Sequence, residues 1–298
     1  MNRKIIFLIN PIAGTRQKNL LPTLLSGLTE KRGIPYEILP TVASGDYTFL
    51  QEKIEEENIT DVVICGGDGT VNKVVAPLAK TGVNFGLIPL GSGNGLALAA
   101  RISKDPKLAM EIIFNGKAKA VDGFLVNNQF ACMLVGLGFD ALIAHEFANY
   151  GKRGLATYAK VTTKNFFSAK PYAFNIEANK LEFAAEAYFI SVANSNQFGN
   201  NFTIAPQASL SDGLLDVVIV KKTLKPMLVI NVLQQVLNGK IKKVENSLNS
   251  PVIYFQTDEL IIHNTESAPM HIDGDPIECE AKLNIKILPQ YFNLIQPL

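Results

Sequence analysis

What most restricts this chain is the alternation in its first 120 residues. Short apolar runs recur there, each followed by a loop and then a helical stretch. Residues 4–9 form a largely apolar run, as expected of a strand buried on both faces. The loop NPIAG follows, then a helical stretch over 15–32. Strand 36–39 precedes helix 47–57, strand 61–65 precedes helix 70–80, and strand 85–88 leads through PLGSGNG into a further helix. Strands and helices alternating at this spacing indicate βαβ units on a parallel sheet. Three of the four strands run into glycine-containing loops at their carboxyl ends, the side on which open α/β sheets bind ligands.

After residue 120 the pattern becomes that of hairpins. Strands are expected at 124–126 and 130–135 around Asn127-Asn128, and at 172–178 and 182–192 around Asn179-Lys180. More follow at 215–220, 252–255, 260–262, 269–272 and 282–288. Helical segments interrupt them near 140–148, 153–168 and 224–238. The fold expected is an N-terminal Rossmann-like parallel α/β domain (1–122) and a mostly antiparallel C-terminal β-sandwich domain (123–288). The tail 289–298 packs back on the first domain, and the active site lies in the cleft between the two.

The loop GGDGT, residues 66–70, does not suit a packed core. Glycine permits positive φ and lets a ligand touch the main chain, and a helix N-terminus offers unpaired N–H groups and partial positive charge. Together they make a phosphate cradle. Asp68 would repel phosphate unless a metal lies between them; the plainer alternative is a tight turn with Asp68 as a cap. Asn72 lies one step further into the helix. PLGSGNG (89–95) repeats the design, with Ser92 and Asn94 on a loop kept open by Gly91, Gly93 and Gly95, and NPIAG (10–14) is a third such loop. Neither a Walker G-x-x-x-x-G-K-[ST] nor a G-x-G-x-x-G after the first strand is present.

Composition narrows the partners. The net charge is +1 over 298 residues, which does not argue for nucleic acid. Cys65, Cys132 and Cys279 show no metal spacing and read as buried thiols of a reducing compartment. The apolar run of the N-terminus is about five residues, too short for a signal peptide or a bilayer span. A cytoplasmic protein is expected, one that must visit the membrane surface if it handles lipid.

NPIAG, GGDGTVN and PLGSGNGLA, in that order, resemble the diacylglycerol kinase catalytic family, which includes bacterial lipid kinases, sphingosine kinases and ceramide kinases. VDGFLVNNQF, APQASLSDGLLDVVIV (205–220) and MHIDGDPIE (270–278) resemble its later segments. The resemblance implies ATP and Mg2+ as cofactors and a neutral lipid at a membrane surface as substrate, with a homodimer left open. It implies an ATP site of Asn10, Pro11, Ile12, Ala13, Gly14, Thr41, Gly66, Gly67, Asp68, Gly69, Thr70, Val71, Asn72 and Ser92, which Asn94 joins from the same loop as Ser92. It implies that Asp68 shares a magnesium–water network with Asp122. Asp212 would bind a structural magnesium with the main-chain oxygens of Ser209 and Leu214. Asp273 would deprotonate the lipid hydroxyl, with Asp275 at the position the family usually fills with Glu. Gly95 stands where many bacterial diacylglycerol kinases carry an acid, and the wording GSGNGLA is closer to the sphingosine and ceramide branch.

The residues by themselves suit phosphoryl transfer, which needs positioning and charge neutralisation more than covalent help. Asp273-Gly274 and Asp212-Gly213 are equally what a hairpin turn would use. His271 reads as packing or support for a neighbour rather than a catalyst, and His145 and His263 carry no constellation. Residues 133–148 and 150–174 would line an acyl-chain pocket or form an ordinary core. The apolar segment 225–243, basic at its end, reads as a helix packed on the sheet rather than one leaning on anionic lipid. Two other functions fit the loops: an NAD kinase, which usually carries an LGFL-type segment where this chain has FGLIPLGSGN, and a nucleotide-sensing protein without turnover. Diacylglycerol, sphingoid base, ceramide and phosphatidylglycerol all remain open as acceptors.

Overall fold

A computed structural model describes residues 3–13, 20–149, 165, 169–199, 202–203, 205–222 and 251–298. Gly14, the helices expected at 153–168 (residue 165 apart) and 224–238, and the whole segment 225–243 lie outside those residues. The chain divides into two compact units, residues 1–122 with 290–298, and residues 123–289.

The first unit contains β1 (Ile5–Ile9), α1 (Leu21–Glu30), β2 (Tyr36–Pro40), α2 (Thr48–Glu57), β3 (Asp61–Gly66), α3 (Asp68–Leu78), β4 (Asn84–Pro89), α4 (Gly95–Ala99) and α5 (Pro106–Asn115). The strands pair in parallel in the order β2-β1-β3-β4. Ile5 to Leu8 and Val62 to Cys65 are buried on both faces, which is why their apolar runs do not alternate. Leu21, Leu25 and Thr29 form the buried stripe of α1, and Thr29 returns its hydroxyl to the Leu25 carbonyl at 2.7 Å. Asp105 caps α5 by accepting from the Lys107 and Leu108 N–H groups, with Pro106 at the first helical position. Arg3 then ties the far end of α5 to the sheet: it pairs with Asp61 at 2.7 Å and donates to the Ile113 carbonyl at 2.6 Å. One helix was expected after PLGSGNG; two are present, because Arg101 at φ +58° is left-handed and ends the first.

Strand β5 (Lys117–Val126) begins in the first unit and ends in the second. The second unit continues with β6 (Gln129–Ala131), β7 (Leu134–Gly138), α6 (Phe139–Asn149), β8 (Tyr172–Ala178), β9 (Leu181–Ala193), β10 (Gln197–Gly199), β11 (Phe202–Thr203), β12 (Leu215–Lys221), β13 (Val252–Thr257), β14 (Glu259–Asn264), β15 (Met270–Ile272) and β16 (Asp275–Ile277). Strand β17 (Lys282–Gln296) begins in the second unit and returns to the first, where Asn293 and Leu294 pair in parallel with β4. Pairing within the second unit is antiparallel, in the manner of a β-sandwich: the first half of β9 pairs with β8, the second half with β7 and β12. Alternation sets the faces. Val135 and Leu137 of β7 enter the apolar core with Ile190, Val192, Val217 and Ile219, while Gly136 belongs to the opposite face. The strand expected over 130–135 is in fact broken at Cys132 and Met133.

Candidate active site

The three glycine-containing loops of the first unit meet, and side chains brace the junctions. The Asn10 amide donates to the Thr70 hydroxyl at 2.7 Å, joining the loop after β1 to the first turn of α3, and Asn10 Oδ1 accepts from the Ile12 N–H at 3.0 Å. Gly66 has no room for a side chain, since a Cβ there would lie 2.6 Å from Thr70 Cβ. The loops after β3 and β4 touch through their glycines: a Cβ on Gly91 would lie 2.7 Å from the Gly67 Cα and 2.9 Å from Asn94 Oδ1. Asn94, itself left-handed at φ +55°, closes its loop by accepting from the Gly91 N–H at 2.9 Å and donating to the Gly91 carbonyl at 2.7 Å.

Asp68 spans the same junction. Its carboxylate accepts from the Gly95 N–H at 3.0 Å and the Leu96 N–H at 3.4 Å, the first turn of α4. A cap was one of the roles the sequence allowed it, and the helix it caps is the next one along. The Gly67 N-cap of α3 carries no side-chain cap, and a helix start of this kind is one that an anion can satisfy. Gly66, Gly67, Asp68, Val71, Pro89 and Asn94 are among the residues lining a small pocket here. Thr41 continues the β1–β2 pairing, its N–H on the Ile9 carbonyl at 3.0 Å. Pro11 and Ile12 are exposed, Ala13, Gly69, Thr70, Asn72 and Ser92 half-buried, and Val71 buried. Asp122 is fully buried and accepts from the Gln290 N–H at 2.7 Å. Cys65 is buried beneath, and burial pushes its thiol far up, leaving it unreactive. Cys132 is buried as well, whereas Cys279 is only partly so.

In the second unit Asp273 and Gly274 are the two central residues of the β15–β16 hairpin, at φ +49° and +88°, the sign pattern of a type I′ turn. Asp273 is 4% exposed. One carboxylate oxygen accepts from the Met133 and Leu134 N–H groups, both at 2.9 Å, and the other from the Cys132 N–H at 3.0 Å. Those amides are what the break between β6 and β7 leaves without ladder partners, so Asp273 makes the break tolerable. The residue expected as proton acceptor is thus a carboxylate whose two oxygens already receive three N–H groups. Asp275 is exposed, at the start of β16. Nothing local to residues 130–135 signals that their amides are held by a residue 140 positions on.

Gly213 is left-handed at φ +73°, and Asp212, exposed, accepts from the Leu214 N–H at 3.1 Å. The Ser209 hydroxyl accepts from the Ser211 N–H at 3.5 Å. The side chains of this loop thus bond to its own backbone, and among the described residues no cluster of three or more His, Cys, Asp or Glu side chains is placed to hold a metal.

The diacylglycerol kinase catalytic domain profile matches residues 4–126, and the YegS C-terminal NAD kinase beta sandwich-like domain profile matches residues 133–296. A diacylglycerol kinase of Bacillus subtilis is 27% identical over 273 residues, 89% of this chain and 88% of that protein. One of Staphylococcus aureus is 27% identical over 285 residues, 92% of this chain and 87% of that protein. A crystal structure of a diacylglycerol kinase from Bacillus anthracis superposes with a TM-score of 0.69 at 20% identity, covering 99% of this chain and 97% of that one, a likeness of fold. The chain belongs to the family that joins a diacylglycerol kinase catalytic domain to a YegS C-terminal NAD kinase beta sandwich-like domain, and it is a kinase.

Proposed function

We propose that the protein transfers the γ-phosphoryl group of ATP, with magnesium, to a hydroxyl of a neutral lipid. The observation that carries this is the meeting of three glycine loops around an uncapped helix start in a member of this family. The first turn of α3 and the amides of the 91–95 loop would hold the phosphates. Asn10, Thr41, Asn72, Ser92 and Asn94 would orient the nucleotide. Magnesium accepts oxygen ligands and keeps several waters. Asp68, braced by the Gly95 and Leu96 N–H groups, would meet such an ion through water, in a network shared with Asp122. Bound magnesium would neutralise charge on the β- and γ-phosphates. Asp212, with the carbonyls of Ser209 and Leu214, would hold a second ion of structural role.

On the acceptor side the base is assigned to Asp275 rather than Asp273. Asp275 is exposed and its side chain makes no hydrogen bond to any described residue, whereas Asp273 holds the turn beside it in place. A carboxylate helps as the hydroxyl proton leaves in the transition state, an effect of about 10²–10⁴ in rate. Asp275→Asn should therefore lower kcat by about 10²–10⁴ with folding and ATP affinity unchanged; a variant that keeps the wild-type kcat would return the role to Asp273.

Labelled ATP offered with diacylglycerol, sphingoid base, ceramide and phosphatidylglycerol, and with NAD as a separate acceptor, tests the whole. A labelled lipid is expected. Label on NAD alone, or ATP binding without transfer to any acceptor, would overturn the proposal. The protein would work at a membrane surface; among the described residues no helix is long and apolar enough to cross one.

A further inference from the structure

Beneath the Asp273–Asp275 turn lies a buried pair that the chemistry above does not use. His271 is 1% exposed and Asp140 7%, and His271 Nε2 lies 3.3 Å from Asp140 Oδ2. On the other side of the ring, Nδ1 accepts the Gly274 N–H at 3.2 Å. A backbone N–H can only donate, so Nδ1 carries no proton. The neutral ring then holds its proton on Nε2, directed at the Asp140 carboxylate. The bonds run from the first turn of α6, through Asp140 and the imidazole, to the amide between Asp273 and Asp275.

The neighbouring strand is shaped for this pair. Gly136 of β7 is paired with His271 across the sheet, and a Cβ there would lie 2.2 Å from Asp140 Oδ2 and 2.4 Å from His271 Nε2. Only a residue without a side chain leaves room for the carboxylate and ring to meet over the strand. Burying a carboxylate and an imidazole is unfavourable unless they are paired, and packing alone would be better served by apolar side chains.

We propose that Asp140 and His271 are positioning residues of the reaction: Asp140 fixes the tautomer and orientation of the ring, and the ring fixes the turn that presents Asp275. This rests on the proposed lipid-kinase function. A carboxylate misplaced by an ångström is enough to slow a reaction substantially, and the hairpin has only two residues in its loop with which to hold one.

His271→Asn and His271→Gln separate the two contacts. Asn places an acceptor near the position of Nδ1 and can still receive the Gly274 N–H; Gln reaches toward Asp140 and loses that acceptor. In His271→Gln, kcat should fall roughly tenfold or more while the KM for ATP stays put, and His271→Asn should recover to within about threefold of wild type. Amide hydrogen exchange at Gly274 should quicken by about tenfold in the Gln variant and much less in the Asn variant. Nitrogen chemical shifts of wild-type His271 should show the Nε2–H tautomer. A ring protonated on Nδ1, or Gly274 exchange indifferent to both substitutions, would overturn the pair whatever the activity. Faster exchange with an undiminished kcat would show a contact without a positioning role and overturn it too. A wild-type protein that phosphorylates no lipid would instead sink the lipid-kinase function, and the exchange and tautomer measurements would still decide whether the pair holds the turn.

Discussion

Two aspartates, each followed by glycine, look alike in the sequence and act differently in the two units. Asp68 sits at the start of α3, half-buried, and reaches across to the first two N–H groups of α4. Asp273 sits in a hairpin, almost fully buried, and takes up three N–H groups from a strand break. Both carboxylates spend hydrogen-bonding capacity on backbone amides. The first does so at a rim where water can substitute, the second where nothing else can reach. An acid in a glycine loop is therefore poor evidence of a catalytic acid until its partners are known. Here one brace joins two glycine loops, proposed above to hold phosphate, and the other holds a sheet together.

The sharpest way to break this contrast is to remove each carboxylate. Asp273→Ala leaves three buried N–H groups without acceptors, each costing about 1–3 kcal/mol, so urea unfolding should show a loss of about 3 kcal/mol or more. Asp68→Ala removes a helix cap and should cost about 1 kcal/mol, while weakening ATP binding more than Asp273→Ala does in whatever fraction remains folded. Equal stability losses for the two would erase the distinction.

Gly91→Ala sharpens the claim about the cradle. Its Cβ would meet the Gly67 main chain at 2.7 Å, and main chain cannot swing aside as a side chain can. The loops must separate at a cost of about 1–3 kcal/mol, and ATP affinity measured by calorimetry should fall at least about tenfold, the equivalent of 1.4 kcal/mol. Unchanged affinity would mean that the contact between the loops is incidental.

The smallest effect lies away from both sites. Hydrogen bonds from Lys4 and then Lys53 hold Glu57 down from its ordinary 4.5 to about 2. A carboxylate lowered on folding contributes stability above its unfolded value and loses it as pH falls toward the folded one. The thermal unfolding midpoint should therefore fall slightly from about pH 5 to pH 2, and Glu57→Gln should flatten that slope. The pair is exposed, so added salt should do the same.

The contrast also explains what could be read from the chain alone. The β1 and β3 runs are apolar on both faces and the glycine loops follow them directly, so the parallel sheet and its rim are local facts of sequence. The Asp273-Gly274 turn is equally local, since two residues suffice to favour a type I′ hairpin. What the turn holds is not local: its partners are amides, identical in every residue, and no side-chain pattern marks them. The bond between His271 and Asp140 joins residues 131 apart and hides behind a glycine that reads as an ordinary strand interruption. The tail 289–298 was expected on the first unit, but not as the second half of one strand, β17. Gln290 at φ +51° interrupts the alternation that made residues 282–288 recognisable, and the pairing beyond it is with a strand two hundred residues earlier.

The central claim is that amides at the rim of the first sheet, aligned by Asp68 and Asn94, grip the phosphates of ATP. Amide chemical-shift mapping during titration with magnesium ATP tests it most directly. The account predicts that Gly67, Gly69, Thr70, Gly91 and Ser92 shift together and saturate at one nucleotide concentration. Saturable binding that leaves those five amides unmoved would contradict it.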